Sequence, residues 1–203
     1  MIIYLHGFSS GAQSNKAGVI KDYFSKYSVF VPDYVSHQPG NAINYLERYI
    51  EQKFINSEEQ YVMLMGSSLG GFYVQYLASQ YDFVSAAVLI NPCLQPLVTL
   101  ASQTGEQINS VTGKPFTFTE DDLKAMANYD VPASGLFNPT LVLLDEGDEF
   151  IDYRYALERY RDKGKVIVYP GGDHWFRHLD EAMPEIEQFY TLHVKRKPIQ
   201  RAE

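Results

Sequence analysis

A chain of 203 residues with 45% hydrophobic content is long enough to bury one sizeable core, and we expect one folding unit over residues 1–192. The formal charge of −8 argues against nucleic acid or an anionic membrane as partner, because both attract positive protein surface. One cysteine, Cys93, excludes an internal disulfide and suits a reducing compartment.

The chain opens on Met1-Ile2-Ile3-Tyr4-Leu5-His6, with no basic start and no apolar stretch of signal length. No segment reaches the roughly 20 apolar residues that a bilayer crossing needs, so the expected location is the cytoplasm. Short runs rich in Val, Ile and Leu, at 2–5, 29–31, 61–65, 86–90, 141–144 and 166–169, alternate with longer stretches of helical period. That alternation is the mark of a buried, mainly parallel sheet with crossover helices on both faces. After the first run, Val19, Ile20, Tyr23 and Phe24 share a helical stripe, and after the second, Ala42, Leu46, Tyr49 and Ile50 do the same. A helix over 69–81 follows the third run with no polar loop between them. The last helix is expected to begin near Pro184, a residue suited to a first helical position, and to bury Ile186, Phe189 and Tyr190. Residues 193–203, with the basic run Lys195-Arg196-Lys197, read as a solvated tail.

The rhythm breaks once, between Asn91 and Pro139, where an insert of about 94–138 separates two strands. Connections of that length carry a function or a small subdomain. Thr119 followed by Glu120, Asp121 and Asp122 starts a capped helix over about 120–129. The insert's apolar residues Phe116, Phe118, Leu123, Met126, Leu136 and Phe137 either line a pocket or pack the insert onto the core, and packing is the default for each.

The third strand runs into Gly66-Ser67-Ser68-Leu69-Gly70, a Gly-x-Ser-x-Gly pattern between an apolar strand and a helix. A nucleophile on such a strand-to-helix turn sits in strained backbone, and the flanking glycines let neighbouring chain approach. The spacing selects Ser68 over Ser67, which has Met65 two residues before it. A serine hydroxyl needs an adjacent base. Of five histidines, only His174 follows the last strand on a turn, Pro170-Gly171-Gly172-Asp173, that can swing it back over the sheet edge. His6 closes the first strand and holds the loop after it, whereas His37, His178 and His193 read as surface or helix residues. His174 and His178 share the spacing of a helical zinc pair, but the glycines before His174 oppose a helix there and no third ligand is evident.

The base needs an acceptor that fixes its tautomer. After 141–144 come Asp145, Glu146, Asp148, Glu149 and Asp152; Asp148 is preferred because Gly147 supplies the turn, while Asp145 remains in the strand and Asp152 looks like a helix cap. The order Ser68, Asp148, His174 is the chain order of α/β-hydrolases. An oxyanion would be met by the N–H of Leu69, just after the nucleophile. The loop His6-Gly7-Phe8-Ser9-Ser10-Gly11 resembles the His-Gly loop of esterases and lipases, which implies the N–H of Phe8 as second donor.

Through residues 1–192 the chain thus resembles the α/β-hydrolase superfamily. More narrowly it resembles the small bacterial YqiA-type esterases, on its start at Ile2-Ile3-Tyr4-Leu5-His6-Gly7-Phe8-Ser9-Ser10, its Gly66 to Phe72 elbow, Gly147 to Tyr153, and Gly171-Gly172-Asp173-His174. The resemblance implies an α/β-hydrolase fold of about six mainly parallel strands, without the first two strands of larger members and with a short lid-like insert. It implies a serine esterase that hydrolyses carboxylic esters without a cofactor; with the apolar insert and 14% aromatic content as an acyl pocket, the expected substrates are short to medium acyl esters or thioesters of small molecules, cleaved through an acyl-enzyme. Two alternatives stay open: a non-catalytic ligand-binding protein on the same scaffold, and a hydrolase of amide or carbon–carbon bonds. The sequence carries no signal for an oligomeric state.

Overall fold

A computed structural model describes residues 1–136 and 138–194. In chain order the elements are β1 (Ile2–Leu5), α1 (Asn15–Tyr23), β2 (Val29–Phe30), α2 (Pro39–Ile55), β3 (Val62–Ser67), α3 (Leu69–Gln80) and β4 (Val84–Ile90). The insert follows with α4 (Pro96–Thr99), β5 (Gly105–Ile108), β6 (Pro115–Phe118) and α5 (Glu120–Ala125). The chain then closes with β7 (Thr140–Asp145), α6 (Tyr153–Tyr160), β8 (Lys165–Tyr169) and α7 (Leu179–His193).

Six strands form one sheet in the order β2-β1-β3-β4-β7-β8, and each pairing in it is parallel. Side chains alternate across a strand. Ile3, Leu5, Leu64, Leu89, Val142 and Leu144 therefore pack on one face with residues of α2, α3 and α6. Ile2, Tyr4, Met63, Val88, Leu141 and Leu143 pack on the other with residues of α1 and α7. Because both faces are covered, the central strands read as unbroken apolar runs, and burying each large side chain stabilises the fold by roughly 1.5–3 kcal/mol. The strand order reverses between β1 and β3, whose carboxyl ends meet where Leu5 pairs with Gly66. Ligands of open parallel sheets bind in the crevice at such a reversal. Among the described residues no helix is long and apolar enough to cross a membrane.

Three expectations are corrected. The last helix starts at Leu179 with His178 as its N-cap, so Pro184 lies inside it. Proline there forfeits the N–H that would reach the Asp180 carbonyl; interior proline costs about 3 kcal/mol, offset by burial of Leu179, Met183, Ile186, Phe189 and Tyr190. The tail does not begin at 193, because His193 closes α7 and Val194 is buried; the basic run at 195–197 lies outside the described residues. On α1, Tyr23 is exposed and the stripe is completed instead by Ala17, beside Ile20 and Phe24.

In the insert, the helix expected over 120–129 is α5, continued by a 3-10 turn over Met126–Tyr129. Thr119 Oγ1 accepts the Asp122 N–H and the Asp122 carboxylate accepts the Thr119 N–H, which closes a reciprocal cap. Phe118 and Met126 are fully buried, and Phe116, Leu123 and Leu136 pack against the same core, so these residues anchor the insert; Phe137 lies outside the described residues. The antiparallel hairpin β5–β6 was not expected. It leans on the loop after β1: Ser9 Oγ donates to Ile108 O at 2.6 Å, the Ser110 N–H and Oγ donate to Ser9 O at 2.8 and 2.7 Å, and Asn109 Nδ2 donates to Ser10 O at 2.8 Å. Phe8 packs edge-on against Phe116 and Phe118 across the same seam.

Candidate active site

β3 ends at Ser67 and the chain turns at Ser68, with φ 54° and ψ −124°, directly into α3. Positive φ at a residue with a Cβ costs of order 1–3 kcal/mol and persists only where the surroundings enforce it. Here the Ser68 N–H donates to Ile90 O at 3.0 Å, and Ser68 O accepts from the Gly71 and Cys93 N–H groups at 2.9 and 3.0 Å. A Cβ on Gly66 would strike the backbone of Gly70 and Gly71, and one on Gly70 would strike the Leu5 and His6 carbonyls. The glycine spacing is thus a steric requirement of the turn.

The three residues singled out from sequence meet at this edge. His174 Nε2 lies 3.1 Å from Ser68 Oγ, and His174 Nδ1 lies 3.0 and 2.9 Å from the Asp148 carboxylate oxygens. The Asp148 side chain is buried, 1% exposed, and its Oδ1 also accepts the Phe150 and Ile151 N–H groups at 2.9 and 2.8 Å. A carboxylate beside Nδ1 favours the proton on that nitrogen, which leaves the Nε2 lone pair facing Ser68. Asp152 caps α6 by accepting the Arg154 N–H at 3.0 Å and Asp145 faces elsewhere, so of the three aspartates Asp148 is the one on His174.

Leu69 is the first residue of α3, so its N–H has no helical carbonyl four residues back. A Cβ on Gly7 would lie 3.0 Å from Ser68 Cβ, which measures how closely the loop bearing Phe8 passes the elbow. All of this borders a cavity of about 620 Å³ lined by Gly7, Phe8, Ser68, Leu100, His174 and Trp175 among others. Burial pushes the Cys93 thiol up to about 12, so the one cysteine offers no competing thiolate at neutral pH.

The profile of the family described as "Uncharacterised protein family (UPF0227)" matches residues 1–191. The chain belongs to the UPF0227 family. It is 23% identical over 192 residues to the UPF0227 protein ECA1814 of Pectobacterium atrosepticum, spanning 95% of this chain and 99% of the relative. Among solved structures it resembles Est1E from Butyrivibrio proteoclasticus, with TM-score 0.76 and 14% identity over 96% of this chain and 88% of that one. It also resembles the Pyrococcus furiosus esterase Pf2001, with TM-score 0.73 and 13% identity over 95% and 81%. At such identities the likeness shows the fold, which is that of the α/β-hydrolases.

The UPF0227 chain holds a second histidine–aspartate pair that sequence reasoning missed. His178, expected as a surface or helix residue, places Nδ1 2.7 Å from Asp145 Oδ1 and stacks on Tyr169. Asp145 is fully buried at the end of β7, and its Oδ2 accepts the Arg177 and Asp173 N–H groups at 2.7 and 3.2 Å. It therefore fastens both sides of the segment that presents His174. Gly172, at φ 75°, lies so close that a Cβ there would enter the Asp145 carboxylate. Asn91 adds a brace: its Oδ1 accepts the Asp145 N–H at 2.8 Å and its Nδ2 donates to Asp173 O at 3.0 Å. Glu149 accepts the His174 N–H at 2.9 Å.

Asp145→Ala leaves His178 Nδ1 and the Arg177 and Asp173 N–H groups without their acceptor. An unmade buried bond costs about 1–3 kcal/mol, and the urea midpoint is expected to fall accordingly. An unchanged midpoint would mean that the pair does not hold the loop.

Proposed function

We propose that the chain is a serine hydrolase that cleaves short to medium acyl esters or thioesters of small molecules. The observation that carries this reading is one imidazole bridging Ser68 Oγ and a buried carboxylate, beside a cavity at the reversal of a parallel sheet. In the first step Ser68 Oγ bonds to the acyl carbon while its proton passes to His174 Nε2. Asp148 orients the ring and stabilises the imidazolium. The negative charge on the former carbonyl oxygen is received by the N–H groups of Phe8 and Leu69. As the bond to the leaving group breaks, His174 returns its proton to the departing oxygen or sulfur. Water then gives a proton to His174 as it attacks the acyl carbon, and His174 passes that proton to Ser68 Oγ as the Oγ–acyl bond breaks, releasing the acid. Every proton transfer uses the chain's own residues, so the reading needs no cofactor. The single, buried cysteine supports a cytoplasmic enzyme.

A fluorophosphonate tests this directly, since it captures an activated serine irrespective of substrate. Peptide mapping is expected to find the adduct on Ser68. Absence of any adduct on folded protein would overturn the reading and favour a ligand-binding protein on the same scaffold.

A further inference from the structure

The cavity wall holds a lysine. Lys16, the second residue of α1, lines it together with Tyr4, Ser14 and Ser67. Its Nζ donates to Ser67 Oγ at 2.7 Å. The ammonium therefore sits beside the residue that precedes the nucleophile. An ammonium has three donors, and one is committed to Ser67.

The acids near Lys16 are engaged with other partners. Asp148 holds His174 at 2.9 Å, Asp145 holds His178 at 2.7 Å and Asp173 holds Arg177 at 2.6 Å. Among the described residues no carboxylate is placed for an ion pair with Lys16. Desolvation pulls its ammonium down to about 8, against the opposing pull of Asp145, Asp148 and Asp173, so it is charged at neutral pH. A partly desolvated cation without a contact anion is costly unless something supplies one. Phe8, Leu100, Phe150, Ile151 and Trp175 give the wall an apolar stretch suited to a short hydrocarbon spacer, beside polar positions that include Ser9, Gln103, Arg177 and Asp180.

Resting on the hydrolase reading above, we propose that Lys16 is a specificity residue that receives a carboxylate on the substrate, which makes the preferred substrate an anionic ester such as a monoester of a dicarboxylic acid. The carboxylate takes Nζ donors that Ser67 leaves free, and the scissile carbonyl then lies a short chain away over Ser68. A lysine that only props Ser67 would affect neutral and anionic esters alike.

The test compares mono-4-nitrophenyl adipate with its neutral methyl ester, 4-nitrophenyl methyl adipate, in the native chain and in Lys16→Gln and Lys16→Arg. Glutamine keeps an N–H for Ser67 but carries no charge. A charged hydrogen bond of about 1.5–3 kcal/mol corresponds to at least about a tenfold preference in kcat/KM for the acid. Lys16→Gln is expected to erase that ratio and Lys16→Arg to keep most of it. No preference in the native chain, or the same ratio in Lys16→Gln, would overturn the proposal. A measurement free of turnover separates it from the hydrolase reading: calorimetric titration of the Ser68→Ala protein with adipate and with adipamide, with and without Lys16→Gln. Adipate binding that needs Lys16, with neither ester cleaved by the native chain, would overturn the hydrolase reading and keep the anion site. Cleavage of both esters at equal rates with no adipate binding would do the reverse.

Discussion

Ser68→Ala is expected to lower ester turnover by about 10⁶, the scale on which loss of a serine nucleophile acts in a serine protease triad. The substitution removes one oxygen and leaves the backbone bonds of Ser68 to Ile90, Gly71 and Cys93 in place. Alanine meets the same positive φ as serine, so the strain of the turn is neither relieved nor increased. The denaturation midpoint should therefore move little while the rate collapses, a separation that only a chemical role produces. Ser67→Ala removes the contact to Lys16 but leaves Ser68 in place, and its loss in rate should be far smaller. An inactive Ser67→Ala beside an active Ser68→Ala would remove the nucleophile from Ser68.

Asp148→Asn is the second large effect, and the hydrogen bonds indicate why. Oδ1 accepts two backbone N–H groups, from Phe150 and Ile151, so the amide oxygen has every reason to stay there. The NH₂ group then replaces Oδ2, the nearer of the two oxygens to His174 Nδ1 at 2.9 Å, while the oxygen retained at 3.0 Å is already shared by two N–H groups. A donor at that point drives the ring proton to Nε2, and a donor instead of a lone pair then faces Ser68. In a serine protease the equivalent change costs about 10⁴ in turnover. We expect a fall in kcat of that order with little change in KM, as for an interaction made in the transition state. Asp152→Asn should leave activity near native, because asparagine caps a helix almost as well as aspartate. A kinetic loss confined to Asp152→Asn would transfer the role to Asp152.

The six-stranded sheet was legible in the sequence because covering both faces leaves the strands apolar along their whole length. The hairpin was not legible. Gly105–Ile108 is mostly exposed and Pro115 begins its partner, so neither strand carries a run of buried residues, and much of what holds them is bonding to Ser9 and Ser10. Helix α7 was misplaced for a related reason. Its N-cap, His178, makes no side-chain cap bond and is fixed instead by Asp145, a partner that chain-local signals do not include. The meeting of Ser68, Asp148 and His174 was legible because a tight turn leaves a local signature of glycines beside each. Lys16, Asn91 and the Asp145–His178 pair carry no such signature, since their partners are remote in the chain.

The seam between the insert and the loop after β1 bears on how the chain acquires its fold. Its bonds join residues about a hundred positions apart, such as Ser9 with Ile108 and Ser10 with Asn109. Closing so long a loop is entropically expensive, and contacts of high sequence separation delay the steps that depend on them. The β1–β3–β4 core with α3, whose strands pair residues such as Ile2 with Met63 and Val62 with Val84, does not require that closure. The segment carrying Phe8 does, because its neighbours Ser9 and Ser10 are pinned only once the hairpin has arrived. Refolding monitored by sheet formation should thus run ahead of refolding monitored by recovered turnover, and the interval between them is set by the insert.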